Sequence, residues 1–378
     1  MTFKTILLSF CLVISQQSLA EGLVFECDRE KLNTIDAKLY NYFKQLGIDQ
    51  DFYKKQLSSD KLELRLKKTT LENSTLYLRW NPQFNIQEEL IQLPAANGKR
   101  DVHTVSKKEI ALALMQSGRE TIFKGPSCTF EAFEDHVNVR QMIVAWAEHL
   151  HWKFPDGSSA KWNEAYWENG TLKPGKPLSE AMSDFFINED SCSVGCYTAT
   201  KIVFIQGILD YYQRIKQDSK TAQKIKDTLR SDGEVLVNIE PELMWQYLEK
   251  DKKVLSKQAK LLTVKQKVAP LNFIPGDWVY FINTDPKSSD KAGYEGSNSI
   301  YMGRAKFDDF YNDNGHHYFY NEKLSEVYNW RNGVFSRSQD YEKLQSLPPE
   351  LLNRLSLPPS QGGIVLNTRA VPHYFGFN

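Results

Sequence analysis

The spacing of apolar residues divides this chain into helical and strand-like stretches. Apolar side chains recur at helical spacing over 31–46, 133–152 and 196–212. Apolar and polar residues alternate over 62–66 and 76–80, which predicts two strands that each bury one face. The pattern therefore predicts a mixed α+β protein.

The stretch 196–212 is the clearest of the predicted helices. Its apolar residues form a broad face, so we expect it to be largely buried, with Ser193 as its N-cap and Gly195 turning the backbone into it. A second helix is predicted to begin at 177–180, capped by Ser179.

The remaining elements are predicted from charge and turn signals. The lysine-rich segment 214–267 is predicted to be helical, with a short strand at 235–238. The turn Pro-Gly-Asp at 275–277 precedes an apolar strand, and further strands are predicted at 299–302 and 315–320.

The first twenty residues resemble a secretory signal peptide. Lys4 precedes an apolar run over 6–14, and a small-x-small cleavage site ends at Ala20. The alternative, a retained membrane anchor, needs about 20 apolar residues, and this run is shorter. We expect cleavage after Ala20, a secreted or periplasmic protein, and no membrane association after cleavage.

Charge excludes one class of partner. Basic and acidic residues number 47 each, so the chain lacks the basic excess typical of nucleic-acid binding.

Export makes disulfides possible and changes the interpretation of the cysteines. Cleavage of the signal peptide leaves four, Cys27, Cys128, Cys192 and Cys196, which allow three pairings. We favour a bridge between Cys27 and Cys128. A local bridge between Cys192 and Cys196 is the open alternative.

Cys196 is the candidate nucleophile. The unpaired N–H groups and the dipole of a helix N-terminus stabilise a thiolate in the first turn. The other interpretations are a disulfide partner and an inert core thiol. Nothing within the helix supplies a base, so one must come from elsewhere in the chain.

Four segments, in order, resemble motifs of the bacterial spore-coat transglutaminases of bacilli, over about residues 130–340. The segments are PLSEAMSD at 177–184, CYTATKIV at 196–203, PGDWVYFIN at 275–283 and YEGSNSIYMG at 294–303. The third resembles the family's Pro-Gly-Asp-x-x-Tyr-Phe-x-Asn, and the fourth its Trp-x-Gly-Glu-Asn-x-x-x-Leu-Gly.

The resemblance implies a papain-like α+β core over 126–378, with a cysteine-headed helix packed on an antiparallel sheet. Residues 21–125 lie outside the resemblance, and their own pattern of one helix and two strands predicts an α+β accessory domain. The implied reaction is a Cys196 thioester with a protein glutamine, transferred to lysine or another amine, or to water. Its partners are proteins bearing Gln and Lys. No cofactor or metal is implied, calcium included.

The resemblance also assigns residues around the thiol. Gly195 stands where the family has a glutamate, and Ser297 where it has the acid of Gly-Glu-Asn. Together with Asn298, these two residues are predicted to shape the site around Cys196.

The base is then predicted among three other residues. Glu295 lies two residues before Ser297, and His316 and His317 lie near the family's glycine-flanked histidine. Each needs only hydrogen-bond reach to the sulfur in the substrate complex.

Two alternatives use the same fold. One is an NlpC-like cell-wall amidase or peptidase that acts on peptidoglycan, which suits an exported protein. The other is a catalytically degenerate binding or structural protein.

Overall fold

The computed structural model describes residues 21–67, 76, 78–148, 150, 152–155, 160–230, 261–308, 310–311, 317–333 and 346–375. The expected signal peptide, the predicted strand at 235–238 and His316 lie outside the described residues. Within these ranges no helix is long and apolar enough to cross a membrane.

The described helices are α1 (Arg29–Gln45), α2 (Lys107–Leu114), α3 (Phe130–Ala147), α4 (Leu178–Ile187), α5 (Cys196–Asp210), α6 (Ser219–Arg230), α7 (Pro286–Ser289), α8 (Tyr320–Asn329) and α9 (Pro349–Leu355). The described strands are β1 (Gly22–Glu26), β2 (Tyr53–Leu57), β3 (Lys61–Leu66), β4 (Glu89–Ala95), β5 (Gly98–Thr104), β6 (Glu120–Lys124), β7 (Trp167–Glu168), β8 (Thr171–Leu172), β9 (Leu262–Lys265), β10 (Trp278–Ile282), β11 (Gly296–Gly303), β12 (Lys306–Asp308), β13 (His317–Phe319) and β14 (Arg369–Pro372).

The N-terminal sheet has the strand order β2-β3-β1-β6. β1 lies inside it, antiparallel to β3 and parallel to β6. Just beyond these strands, Cys27 and Cys128 form a disulfide with their Cα atoms 6.2 Å apart. The predicted Cys27–Cys128 pairing is therefore confirmed.

The C-terminal sheet positions the thiol. Its order is β13-β12-β11-β10-β14-β9, and every neighbouring pair is antiparallel. On one face of the sheet, α5 packs against β11, and α3 packs against both α5 and β11. On the other, α8 covers a second apolar core that includes Phe281 and Tyr301. This is the predicted α+β arrangement with a papain-like core.

Helices α3 and α5 approach each other closely at Gly207. A Cβ there would lie 2.7 Å from the Cα of Ile143, so only glycine permits this contact. The buried faces of α3 and α5 belong to one apolar core that also includes Leu23 and Phe25 of β1. The division at residues 125 and 126 stays a prediction.

The predicted strand at 76–80 is wrong. Leu78–Trp80 forms a 3₁₀ turn, followed by a second one at Pro82–Phe84 that Asn81 caps. Alternation would bury Trp80 on the face of Leu78, yet Trp80 is 59% exposed. Pro82 lacks the N–H that a continuing ladder needs.

Both predicted serine caps are wrong as well. Gly195 occupies the N-cap position of α5, and Pro177 that of α4. Ser193 instead exchanges backbone hydrogen bonds with Lys161 (2.8 and 3.1 Å). Ser179 lies inside α4, where its hydroxyl contacts Gln213.

Two predicted helices run too far. The helix predicted over 133–152 ends at Ala147, because Glu148 is extended (ψ 136°). The predicted lysine-rich helix to 267 is replaced at its end by β9, which pairs with β14. In the C-terminal sheet, the sequence pattern missed β9, β12 and β14, which are three or four residues long. It also missed β1, β2 and β4 to β8.

Candidate active site

Cys196 is the first residue of α5, at the edge of the buried core. Its side chain is 7% exposed, and no side chain that the structure describes caps the helix N-terminus. The Thr200 hydroxyl donates to the Cys196 carbonyl at 2.7 Å, within the first turn. Since no described side chain caps this end of α5, the dipole of the helix N-terminus favours an anion at the sulfur.

The backbone leading into the helix is held from two sides. The paired backbones of Lys161 and Ser193 fix one side of the loop. The Tyr311 hydroxyl donates to the Val194 carbonyl at 2.8 Å. These contacts fix the position of the thiol relative to the sheet.

Asn298 of β11 faces the sulfur. Its Nδ2 lies 3.6 Å from Cys196 Sγ, and its Oδ1 accepts a 2.9 Å hydrogen bond from Trp278 Nε1. The Trp278 side chain is wholly buried, with its ring 5.9 Å from that of Tyr197. The predicted site-shaping residue Asn298 is thus next to the thiol.

The neighbouring residue, Ser297, points the other way. Along β11, Asn298 and Ile300 belong to the face against α5, whereas Tyr301 packs in the second core. Ser297 pairs with Phe281 of that core, and its buried hydroxyl makes no hydrogen bond to any described residue. Its predicted role in shaping the site stays a prediction.

Two further predicted positions, Gly195 and Glu295, lie on the chain just before α5 and β11, the two elements that carry Cys196 and Asn298. A Cβ added at Gly195 would meet no described atom within 4 Å, and φ is −72°, so a side chain fits there. Glu295 is exposed in the turn before β11, where its carbonyl accepts from the Asn283 N–H at 2.9 Å.

His317 lies on the same face of the sheet as Asn298, two strands away. Ile300 pairs with Asp308, which pairs with His317, and directly paired residues share a face. Its Nε2 contacts Glu148 Oε2 at 3.0 Å. This contact places the ring beside Glu148, and a role as base for Cys196 stays a prediction.

Glu148 belongs to a buried ionic cluster at that side of the sheet. Its other carboxylate oxygen accepts a hydrogen bond from Arg304 Nη2, and Arg304 Nη1 contacts Glu88 at 3.1 Å. Burial raises the pKa of Glu148 to about 7, although the Arg304 guanidinium opposes this rise.

The structure leaves Cys192 and Cys196 as separate free thiols, both buried. The alternative local bridge is therefore not formed. Cys192 contacts the Ser191 hydroxyl at 3.4 Å, and burial raises the pKa of its thiol.

Sequence reasoning missed Trp278 and Glu148. The pattern predicts Trp278 only as the start of an apolar strand, although an indole N–H in such a strand needs an acceptor. Glu148 falls inside the longer helix predicted over 133–152. Its signal is a lone carboxylate in the apolar run Ile143–Leu150, where only a buried partner would stabilise it.

Among the described residues, no group of three or more His, Cys, Asp or Glu side chains is arranged to hold a metal ion.

A cysteine that heads a buried helix packed on an antiparallel sheet defines the class of papain-like cysteine enzymes.

Within that class, residues 85–315 match the model of the family described as protein-glutamine gamma-glutamyltransferase. The match covers well over half of the chain, which therefore belongs to this family. It begins in the segment before β4, earlier than the resemblance predicted from the sequence, which begins near residue 130.

Among solved structures, the chain is similar to a transglutaminase from Geobacillus stearothermophilus without its C-terminal extension. The identity is 16% and the TM-score 0.38, over 65% of this chain and 94% of that one. No curated protein matches the chain.

Proposed function

We propose that this protein is a thioester-forming acyltransferase in which Cys196 is the nucleophile. The observation that supports this most directly is the surroundings of the thiol. The sulfur lies at the head of a buried helix and faces the Asn298 amide at 3.6 Å. Both features stabilise negative charge at the sulfur without an ion pair.

The proposed reaction has two halves. The Cys196 thiolate attacks the γ-carboxamide carbon of a protein glutamine, the C–N bond breaks, and ammonia leaves with an added proton. A lysine amine then attacks the thioester and releases the Cys196 thiol. The new amide bond crosslinks the two proteins. Water in place of the amine yields glutamate.

The proton that moves in each half needs a carrier other than Asn298, because a carboxamide is not basic. Glu295, His316 and His317 are the proposed carriers. The proposed partners are exported proteins bearing Gln and Lys, in keeping with the expected signal peptide.

Amine incorporation tests the proposal. The mature protein is incubated with a glutamine-rich protein and a fluorescent primary amine, and the labelled product is measured. Cys196→Ala is expected to lose at least about 1,000-fold in rate, because the nucleophile is removed. Cys192→Ala, which changes the other free thiol, is the matched control and should retain activity.

Other outcomes would replace the proposal. Muropeptide release without amine incorporation or deamidation would identify a cell-wall amidase or peptidase. If neither occurs and Cys196 resists iodoacetamide at neutral pH, the chain is a binding protein that kept the fold.

Gly195 offers a gain-of-function test. Gly195→Glu places a carboxylate beside the sulfur, where the described atoms leave room for a side chain. We expect incorporation at pH 7 to rise about tenfold, since general acid–base groups contribute at least that much. Gly195→Gln is the matched neutral control. An equal effect of both substitutions would contradict the need for a carboxylate at this position.

A further inference from the structure

Trp278 determines which end of the Asn298 side chain faces the sulfur. An indole N–H can only donate, so the oxygen of the Asn298 amide must accept it, here at 2.9 Å. The NH₂ end then faces Cys196 Sγ at 3.6 Å. A flipped amide would set two donors against each other and leave both without partners.

The indole itself is held firmly. Trp278 is wholly buried, with its ring 5.8 Å from Phe204 and 5.9 Å from Tyr197, both on α5. Its backbone pairs with Ile300 on one side and Ala370 on the other. The helix that carries the thiol therefore also packs against the residue that orients its donor.

We propose that Trp278 is a positioning residue that holds Asn298 as a hydrogen-bond donor to the reacting centre. This inference rests on the proposed acyl transfer and names how its transition state is stabilised. When the C–S bond forms, the carbonyl π electrons move to the glutamine oxygen, which becomes an oxyanion. A donor 3.6 Å from sulfur is within reach of an oxygen on the carbon bonded to that sulfur.

The two donors at this centre come from different elements. Asn298 Nδ2 projects from β11, and the backbone N–H of Cys196 projects from the first turn of α5. Asn298 moves no proton and remains neutral throughout.

Trp278→Phe tests the inference, because it keeps an aromatic ring and removes only the N–H and the second ring. We expect kcat for amine incorporation to fall about tenfold, with KM within about twofold. Asn298→Ala is expected to lower kcat about 100-fold or more. The double variant should be no slower than Asn298→Ala, since Trp278 acts only through Asn298.

A second readout does not require acyl transfer. Alkylation of Cys196 by iodoacetamide at pH 7, followed on its own peptide by mass spectrometry, should slow about threefold in Trp278→Phe. If the wild type has no transferase activity but Trp278→Phe is still alkylated more slowly than the wild type, the proposed function is refuted and the positioning role stands.

Two results would overturn the positioning role. One is wild-type kcat and alkylation in Trp278→Phe. The other is a double variant whose losses are the product of the two single losses, which would show that Trp278 acts independently of Asn298. Tyr197→Phe, on the adjacent ring, is the control for a general packing change.

Discussion

Two carboxylates, Asp277 and Glu148, are buried beside arginines at separate places in the fold, and their pKa values move in opposite directions. Burial acts to raise both. At Asp277, Arg119 and Arg140 more than offset it, so the pKa lies below the usual aspartate range. At Glu148, burial prevails over Arg304, and the pKa rises to about 7.

The number of cations per carboxylate explains the difference. Asp277 accepts from Arg119 (2.7 Å), from Arg140 (2.9 Å) and from the Ile274 N–H (2.8 Å). Arg304 instead divides its guanidinium between Glu148 and Glu88. A buried carboxylate is thus held ionised here where it contacts more than one guanidinium, and not where it shares one guanidinium with another carboxylate.

The two sites also differ in what they join. Asp277 ends the Pro-Gly-Asp turn, which Gly276 completes at φ +79° against the backbone of Arg140. Arg119 precedes β6, so this ion cluster ties the N-terminal sheet to α3 and to the strand that carries Trp278. Glu148, by contrast, contacts a histidine that has been proposed as a proton carrier.

The largest expected effect comes from breaking the first cluster. Asp277→Asn removes the charge and leaves Arg119 and Arg140 buried without it. Breaking a buried ion pair on one side costs roughly 3–5 kcal/mol, measured here as the free energy of unfolding in urea.

Asp36→Asn is the control, because Asp36 pairs with Lys55 at the surface. That pair is expected to contribute less than about 1 kcal/mol. If the free energy of unfolding falls by the same small amount in both variants, the expected difference between buried and surface ion pairs is refuted.

A smaller, pH-dependent effect is expected at Glu148. Its folded pKa of about 7 lies above the unfolded value of 4.5, so the folded state binds the proton more tightly. Its contribution to stability is complete below about pH 4.5 and is lost as the pH rises through about 7. Glu148→Gln should remove this decline, visible as a flatter Tm against pH than in the wild type.

Arg304→Met provides the opposing variant. Without the guanidinium, burial of Glu148 is less compensated and its pKa rises further, so the decline should extend above pH 7. Asp277 contributes with the opposite sign, because its stabilisation is lost as the pH falls through its lowered pKa. A wild-type slope in Glu148→Gln would show that Glu148 does not titrate in this range.

Local patterns predicted the parts of the site that lie within one element. The apolar periodicity of 196–212 predicted α5, and the turn at 275–277 predicted the start of β10. The start of α5 at Cys196 could be predicted because Gly195, which directly precedes it, favours a turn before the apolar run. The predicted N-cap of α5, Ser193, is wrong because the Ser193 backbone pairs with that of Lys161 instead.

Contacts between distant residues could not be predicted from the same patterns. Arg119 and Asp277 are 158 residues apart, and nothing in either segment marks the other as a partner. The opposite directions of Ser297 and Asn298 depend on the register of β11, which a shift of one residue would reverse. Only the paired strands determine which of the two faces the thiol.

The position of β1 inside the N-terminal sheet has a consequence for the order of assembly. Residues 22–26 are made early, but their parallel partner, residues 120–124, follows almost a hundred residues later. The sheet therefore stays open on one side while the intervening chain is synthesised. Fragments that end before residue 120 lack one neighbour of β1, and the disulfide that fastens this strand can close only after Cys128 has emerged.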